Sequence, residues 1–273
     1  MRISFIKMHG LGNDFVVLDG RARTLPPIGQ PAAARLADRH RGIGCDQVIV
    51  LTPSDEADFA IEIRNNDGSM AEACGNAFRA IGLLHGEAAR VATAGGIVSL
   101  RPEDGRVAVE MTSPRFSWDS IPLAYAMDTA AMPVGWEELA EPMAVNVGNP
   151  HVVFFVEDTA AIDLARLGPL IENDPLFPER VNVNVATVEA RDRLRLRVWE
   201  RGAGLTLACG TGACATGVAA IRRGLVDSPV TVRLPGGELE IAWSEGAPLT
   251  MTGPATEAFR GEFEADDYGL SVA

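Results

Sequence analysis

The chain has 273 residues, 47% hydrophobic and 22% charged, with a net charge of −13, a globular composition long enough for two cores of about 100–150 residues each. The acidic balance, with no run of Lys or Arg, excludes the electrostatic footprint of nucleic-acid binding, and no apolar run of about 18 residues marks a membrane span. Four widely spaced cysteines are too few for a disulfide scaffold and "MRISFIKMHG" lacks the pattern of a signal peptide, so the expectation is a cytoplasmic protein with reduced thiols and a small-molecule ligand.

In chain order, "RISFIK" (2 to 7) alternates as a strand does and ends at Lys7, the single lysine of the chain. No glycine-rich phosphate cradle lies beside it, so pyridoxal phosphate chemistry is not expected. "HGLGNDFVVLDG" (9 to 20) and "FAIEIRNNDGS" (59 to 69) read as further strands and turns, and "ACGNAFRA" (73 to 80) opens a helix over 75 to 85 that stops at Gly86. A Gly-Gly hairpin in "VATAGGIVSL" (91 to 100) and "VEMTSP" (109 to 114) follow. The series then restarts. "NVGNPHVVFFVED" (146 to 158) sets Gly148-Asn149 opposite Gly12-Asn13, and "LRLRVWERGAG" (194 to 204) sets Glu200 opposite Asn65. "ACGTGACA" (208 to 215) opens a second helix over 210 to 223, capped by Gly224, before "VTVRLPGGELEI" (230 to 241) and "LTMTGP" (249 to 254).

Landmarks in one order at a nearly constant spacing mark an internal duplication. The expected fold is α+β: two pseudosymmetric domains, each a mainly antiparallel β-sheet or barrel wrapped round a central α-helix, with the active site in the interdomain cleft. The boundaries are expected at 1–116 and 117–256. "EAFRGEFEADD", which has no counterpart in the first copy, returns with 257–273 to the first domain.

Cys74 and Cys209 each fall where a strand and turn meet a helix. A helix start offers unpaired N–H groups to an anion and lowers a thiol pKa from about 8.5, favouring thiolate at neutral pH. Two such starts facing one another across a cleft would hold a carboxylate with a thiol on each side. That layout suits inversion of an α-carbon without a cofactor: one thiolate removes the proton from one face, and the opposite thiol supplies one to the other. Cys45 and Cys214 read as buried core thiols. His9, His40, His85 and His151 are scattered and no Cys-x-x-Cys is present, so no metal is expected.

The motifs "KMHGLGNDFVVLD", "NNDGSMAEACGNAFR", "GNPHVVFF" and "ERGAGLTLACGTGACATG" together resemble the diaminopimelate epimerase family from residue 5 to about 262. The resemblance implies a cofactor-independent enzyme that interconverts LL- and meso-diaminopimelate for lysine and peptidoglycan precursor synthesis, and a homodimer. It makes Cys74 and Cys209 the acid/base thiols, with Cys74 taking the proton from the LL substrate. Gly75, Asn76, Gly210 and Thr211 become backbone donors to the reacting carboxylate. Asn65, Asn149, Asn182, Glu200 and Arg201 become readers of the distal end, with Asn13 and Gln47 lining the same pocket and His151 near the reacting amine. One departure is Ala77, where family members often carry glycine; its methyl is expected to narrow the pocket. Two other readings compete: a proline, hydroxyproline or histidine racemase of the same fold, and a thiol redox or binding protein.

Overall fold

A computed structural model gives the fold and describes residues 1–71 and 74–270. Ala73 of the first Ala-Cys-Gly phrase and residues 271–273 of the returning segment lie outside the described residues. The chain forms two compact units, residues 1–109 with 254–273 and residues 110–253. These boundaries fall a few residues before the expected ones. Residues 110–116 group with the second unit, where Arg115 exchanges backbone hydrogen bonds with Asn146 and Phe116 packs on Trp243.

The first unit runs β1 (Arg2–Gly10), β2 (Asn13–Asp19), α1 (Gln30–Ala37), β3 (Gln47–Thr52), β4 (Phe59–Asn65), β5 (Met70–Ala71), α2 (Gly75–His85), β6 (Ala89–Thr93), β7 (Gly96–Glu103) and β8 (Arg106–Met111). The second has a small hairpin, β9 (Gly135–Trp136) and β10 (Leu139–Ala140), and then repeats the plan. Its elements are β11 (Met143–Asn146), β12 (Pro150–Phe155), α3 (Leu164–Glu172), β13 (Asn182–Ala190), β14 (Arg193–Glu200), β15 (Gly204–Leu205), α4 (Gly210–Arg222), β16 (Val230–Leu234), β17 (Gly237–Ala242) and β18 (Leu249–Pro254). The last strand, β19 (Thr256–Glu264), pairs antiparallel with β1, setting Phe5 opposite Gly261 and Ile3 opposite Phe263.

The pairings correspond one for one. β1–β2 and β11–β12 are antiparallel hairpins. β2–β3 and β12–β13 are parallel, with α1 or α3 in the crossover. β3–β4 and β13–β14 are antiparallel. β4–β6 and β14–β16 are parallel, with α2 or α4 between them. Each sheet is thus mainly antiparallel, but both helices of each copy occupy parallel crossovers, because a chain that re-enters a sheet in the same direction needs a long return.

The second helix of each copy, α1 or α3, is absent from the expected plan. α1 is short, with Pro31 in its first turn where proline is tolerated, and α3 carries Pro169 internally, which reads locally as a breaker. Packing secures both: Ala33 and Leu36 of α1 join Ile3, Val16 and Val48 in one core, and Leu164, Leu167 and Ile171 of α3 join Val152, Phe154 and Val183 in the other. α2 and α4 occupy the expected ranges. Their small residues are explained by close approach: a Cβ on Gly82 would lie 2.5 Å from Val107 Cγ1, and one on Gly217 would lie 2.8 Å from Ile241 Cγ2.

Candidate active site

In each unit the chemistry collects at one end of the sheet. In the first, the starts of β2 and β3 bring Asn13 and Gln47 near the end of β4, where Asn65 pairs with Gln47 in register. In the second, the start of β12 supplies His151 opposite Asn182 at the start of β13, and β14 ends at Glu200. From the strand that ends there, the chain passes through a short strand into the central helix, and a cysteine forms the helix N-cap: Cys74 for α2 and Cys209 for α4, both in extended backbone conformation.

Around Cys74 the polar order is determined from both ends. Arg79, fully buried, donates from Nη2 to Asn76 Oδ1 at 2.8 Å and from Nε to the Pro254 carbonyl. Asn76 therefore turns Nδ2 outward, donating to Asn13 Oδ1 at 3.1 Å. Asn13 Nδ2 donates to Asp46 Oδ2 at 2.9 Å, and the half-buried Cys74 thiol donates to the same Asn13 Oδ1 at 3.6 Å. Asp46 shares Arg39 with Asp14, which also pairs with Lys7. Burial alone would raise the Asp14 carboxyl, but Arg39 and Lys7 override it and hold it well below the usual carboxylate range. Lys7 also donates to the Gly44 carbonyl and is 9% exposed, so the single lysine is structural.

Nearby, Gln47 Nε2 donates to Asn65 Oδ1 at 3.0 Å and Asn65 Nδ2 donates to Ser69 Oγ. Gln47 Oε1 is buried with no partner among the described residues, and a buried acceptor left in this way is a candidate contact for a ligand donor. Another concavity of this unit, containing Arg21, Thr24, Met70 and Thr93, is lined by neither thiol.

Around Cys209 the pattern is different. The thiol is buried, its sulfur accepts the Gly212 N–H at 3.3 Å, and Thr211 Oγ1 lies 3.6 Å away. Burial pushes the Cys209 thiol well up and the nearby Glu200 carboxyl adds to this, outweighing the opposing hydrogen bonds from Thr211 and Gly212. Burial and Glu200 thus oppose the lowering expected of a helix start at Cys209. Burial likewise pushes the Glu200 carboxyl up, against its hydrogen bond from Thr206.

Asn149 Nδ2 donates to Thr211 Oγ1 at 3.3 Å, and Asn149 Oδ1 lies 2.8 Å from His151 Nε2. Asn184 Nδ2 contacts both His151 Nδ1 and the Val152 carbonyl. A carbonyl can only accept, so Nδ2 is correctly placed as a donor, His151 Nδ1 accepts, and Nε2–H donates to Asn149. Burial, with Arg201 adding to it, pushes His151 down to about 3, leaving a neutral imidazole.

Asn182 is tied to backbone, donating to the Pro150 carbonyl and accepting the Arg201 N–H, while the exposed Arg201 side chain donates to the Glu179 carbonyl. Ala77 is fully buried in the first turns of α2. Cys45 and Cys214 are buried as expected, and burial pushes the Cys45 thiol up to about 11. Three residues were missed in the sequence: Asp46, Arg79 and Asn184. Asn184 left a signal, since it shares a face with Asn182 in the otherwise apolar "NVNVA" strand.

A sequence profile described as diaminopimelate epimerase matches residues 5–117 and 143–257. The chain is 62% identical to the diaminopimelate epimerase of Erythrobacter litoralis, over 98% of this chain and 100% of that one. It is 61% identical to that of Rhizorhabdus wittichii, over 98% of each. Among solved structures it is similar to a phenazine biosynthesis protein of the PhzF family from Enterococcus faecalis, with a TM-score of 0.71 at 13% identity over 97% of this chain and 100% of that one. It is also similar to a probable proline racemase from Agrobacterium radiobacter, with a TM-score of 0.67 at 17% identity over 99% and 96% of the two chains. At such identities these two likenesses establish the fold alone.

Proposed function

Because this chain belongs to the diaminopimelate epimerase family, we propose that Cys74 and Cys209 are the acid/base pair of a cofactor-independent epimerase interconverting LL- and meso-2,6-diaminopimelate for lysine and peptidoglycan precursor biosynthesis. One observation carries the assignment: the two cysteines are the N-caps of the two topologically equivalent crossover helices. Inversion of a carbon requires a base on one face and an acid on the other, and a duplicated half-site provides one thiol for each. The N–H groups of Gly75 and Asn76, and of Gly210 and Thr211, lie in the first turns of α2 and α4, where donors meet the charge that builds on a carboxylate as its α-proton leaves.

Cys74 acts as base on the LL substrate while Cys209 delivers a proton to the opposite face, and the two exchange these roles in the reverse direction. For the distal end we propose Asn65, Gln47, Asn182 and Arg201; the unpartnered Gln47 oxygen is an acceptor available to an ammonium. Glu200 stands beside Cys209, which favours a role at the reacting end over the distal role first expected. We further propose a cytoplasmic homodimer, supported by the family membership; a sedimentation mass of one subunit would count against it. Among the described residues no helix is long and apolar enough to cross a membrane.

Solvent-deuterium incorporation at the substrate α-carbon tests the reading. General acid/base groups contribute about 10²–10⁴-fold, so Cys74→Ala and Cys209→Ala are each expected to lower turnover by at least about 10²-fold. Near-native turnover in either variant would sink the two-base assignment. Faster exchange of free proline than of LL-diaminopimelate would transfer the chain's activity to the competing racemase reading.

A further inference from the structure

The two copies place the same asparagine, Asn13 and Asn149, beside their helix starts, but with opposite ends presented. Asn13 offers its oxygen to Cys74 and Asn76, whereas Asn149 offers its nitrogen to Thr211. In each case the orientation is imposed from behind. A carboxylate can only accept, so Asp46 takes the Asn13 amide nitrogen; the His151 tautomer set by Asn184 donates, so it takes the Asn149 oxygen. We propose that Asp46 is a positioning residue that fixes the Asn13 amide with its oxygen toward Cys74, so that this thiol meets an acceptor.

The proposal rests on Cys74 being an acid/base thiol, but it separates from that reading because the reactivity of Cys74 can be measured without turnover. The role assigned to Asp46 is that of an acceptor and not of a charge. Asn at position 46 can keep an oxygen toward Asn13 while turning its NH₂ toward Arg39, whose half-exposed side chain can move. Leu at 46 has no acceptor, which leaves the Asn13 oxygen held by Asn76 from one side only, so that the amide can turn its NH₂ to Cys74.

The test combines steady-state kinetics with iodoacetamide labelling of Cys74, followed by mass spectrometry, on the full chain at pH 7. Asp46→Leu is expected to lower kcat about tenfold with a smaller change in KM, and to speed Cys74 labelling about threefold as donors favour thiolate. Asp46→Asn is expected to rescue both, and Arg39→Met to leave both near native. Native labelling and kcat in Asp46→Leu, or equal impairment in Asp46→Asn or Arg39→Met, would overturn the proposal. If Asp46→Leu does not fold, Asn13→Asp tests the same contact with the opposite sign. A carboxylate beside Cys74 is expected to slow labelling, and an unchanged rate would overturn the assignment.

Discussion

His151 shows how a residue picked out by its motif can play a part that only its neighbours define. Its ring is fully buried, with one nitrogen accepting from Asn184 and the other donating to Asn149. With a folded pKa pushed down to about 3 and an unfolded value of about 6.5, it is neutral throughout the physiological range. Below about pH 6.5 the unfolded chain binds a proton that the folded chain refuses, so His151 reduces stability as pH falls toward 3 and contributes no pH dependence above about 6.5. Nitrogen NMR of the labelled protein is expected to show a neutral, Nε2-protonated ring from pH 5 to 8; a titration within that window would refute the assignment. At this scale the sequence was informative wherever a residue sat on a repeat landmark, as with Cys74, Cys209, Asn13 and Asn149. Asp46 and Arg79 escaped notice because each is an ordinary charged residue in its local setting. Their significance lies in a chain of hydrogen bonds between residues 13, 46, 76 and 79 that no local spacing encodes.

At the scale of elements, α2 and α4 were legible because an Ala-containing, mainly apolar run lies in each between a Cys-Gly start and a Gly stop. α1 and α3 were not, because their stability comes from burial. Gly168 of α3 exists to admit Trp199, whose Cγ would lie 2.4 Å from a Cβ at that position, and such a partner from another strand is invisible in "LARLGPLIE". The parallel pairings β2–β3 and β12–β13 depend on these two helices and, like them, were not expected. Close helix packing also gives a stability prediction. Gly217→Ala places a methyl against Ile241 Cβ and Cγ2, and overpacking of this kind costs about 1–3 kcal/mol. Urea denaturation is expected to show that loss, with Gly217→Ala/Ile241→Val costing less than the sum of the two single changes. Strict additivity would mean that the contact does not govern the choice of glycine.

Over the whole molecule, duplication is the property most plainly written in the sequence, and the matching order of pairings in the two units is its structural counterpart. Where the two copies differ is equally informative: β19 pairs with β1 along eight residue pairs, whereas the matching segment after β8 meets β11 in the single Arg115–Asn146 bridge. β1 is therefore covered on both edges, with Lys7 opposite Phe259 on one side and Val16 on the other. Since Lys7 is the single lysine, a lysine-specific endoprotease has one target bond in the molecule, between Lys7 and Met8. That bond is inaccessible while β1 remains in its sheet, so cutting must wait for the first unit to open, and its rate under excess protease reads that opening. Rapid cleavage of the native protein would show that β1 is not held as described. The residue that failed as a candidate for Schiff-base chemistry thus becomes a built-in clock for the loosening of one half of the molecule.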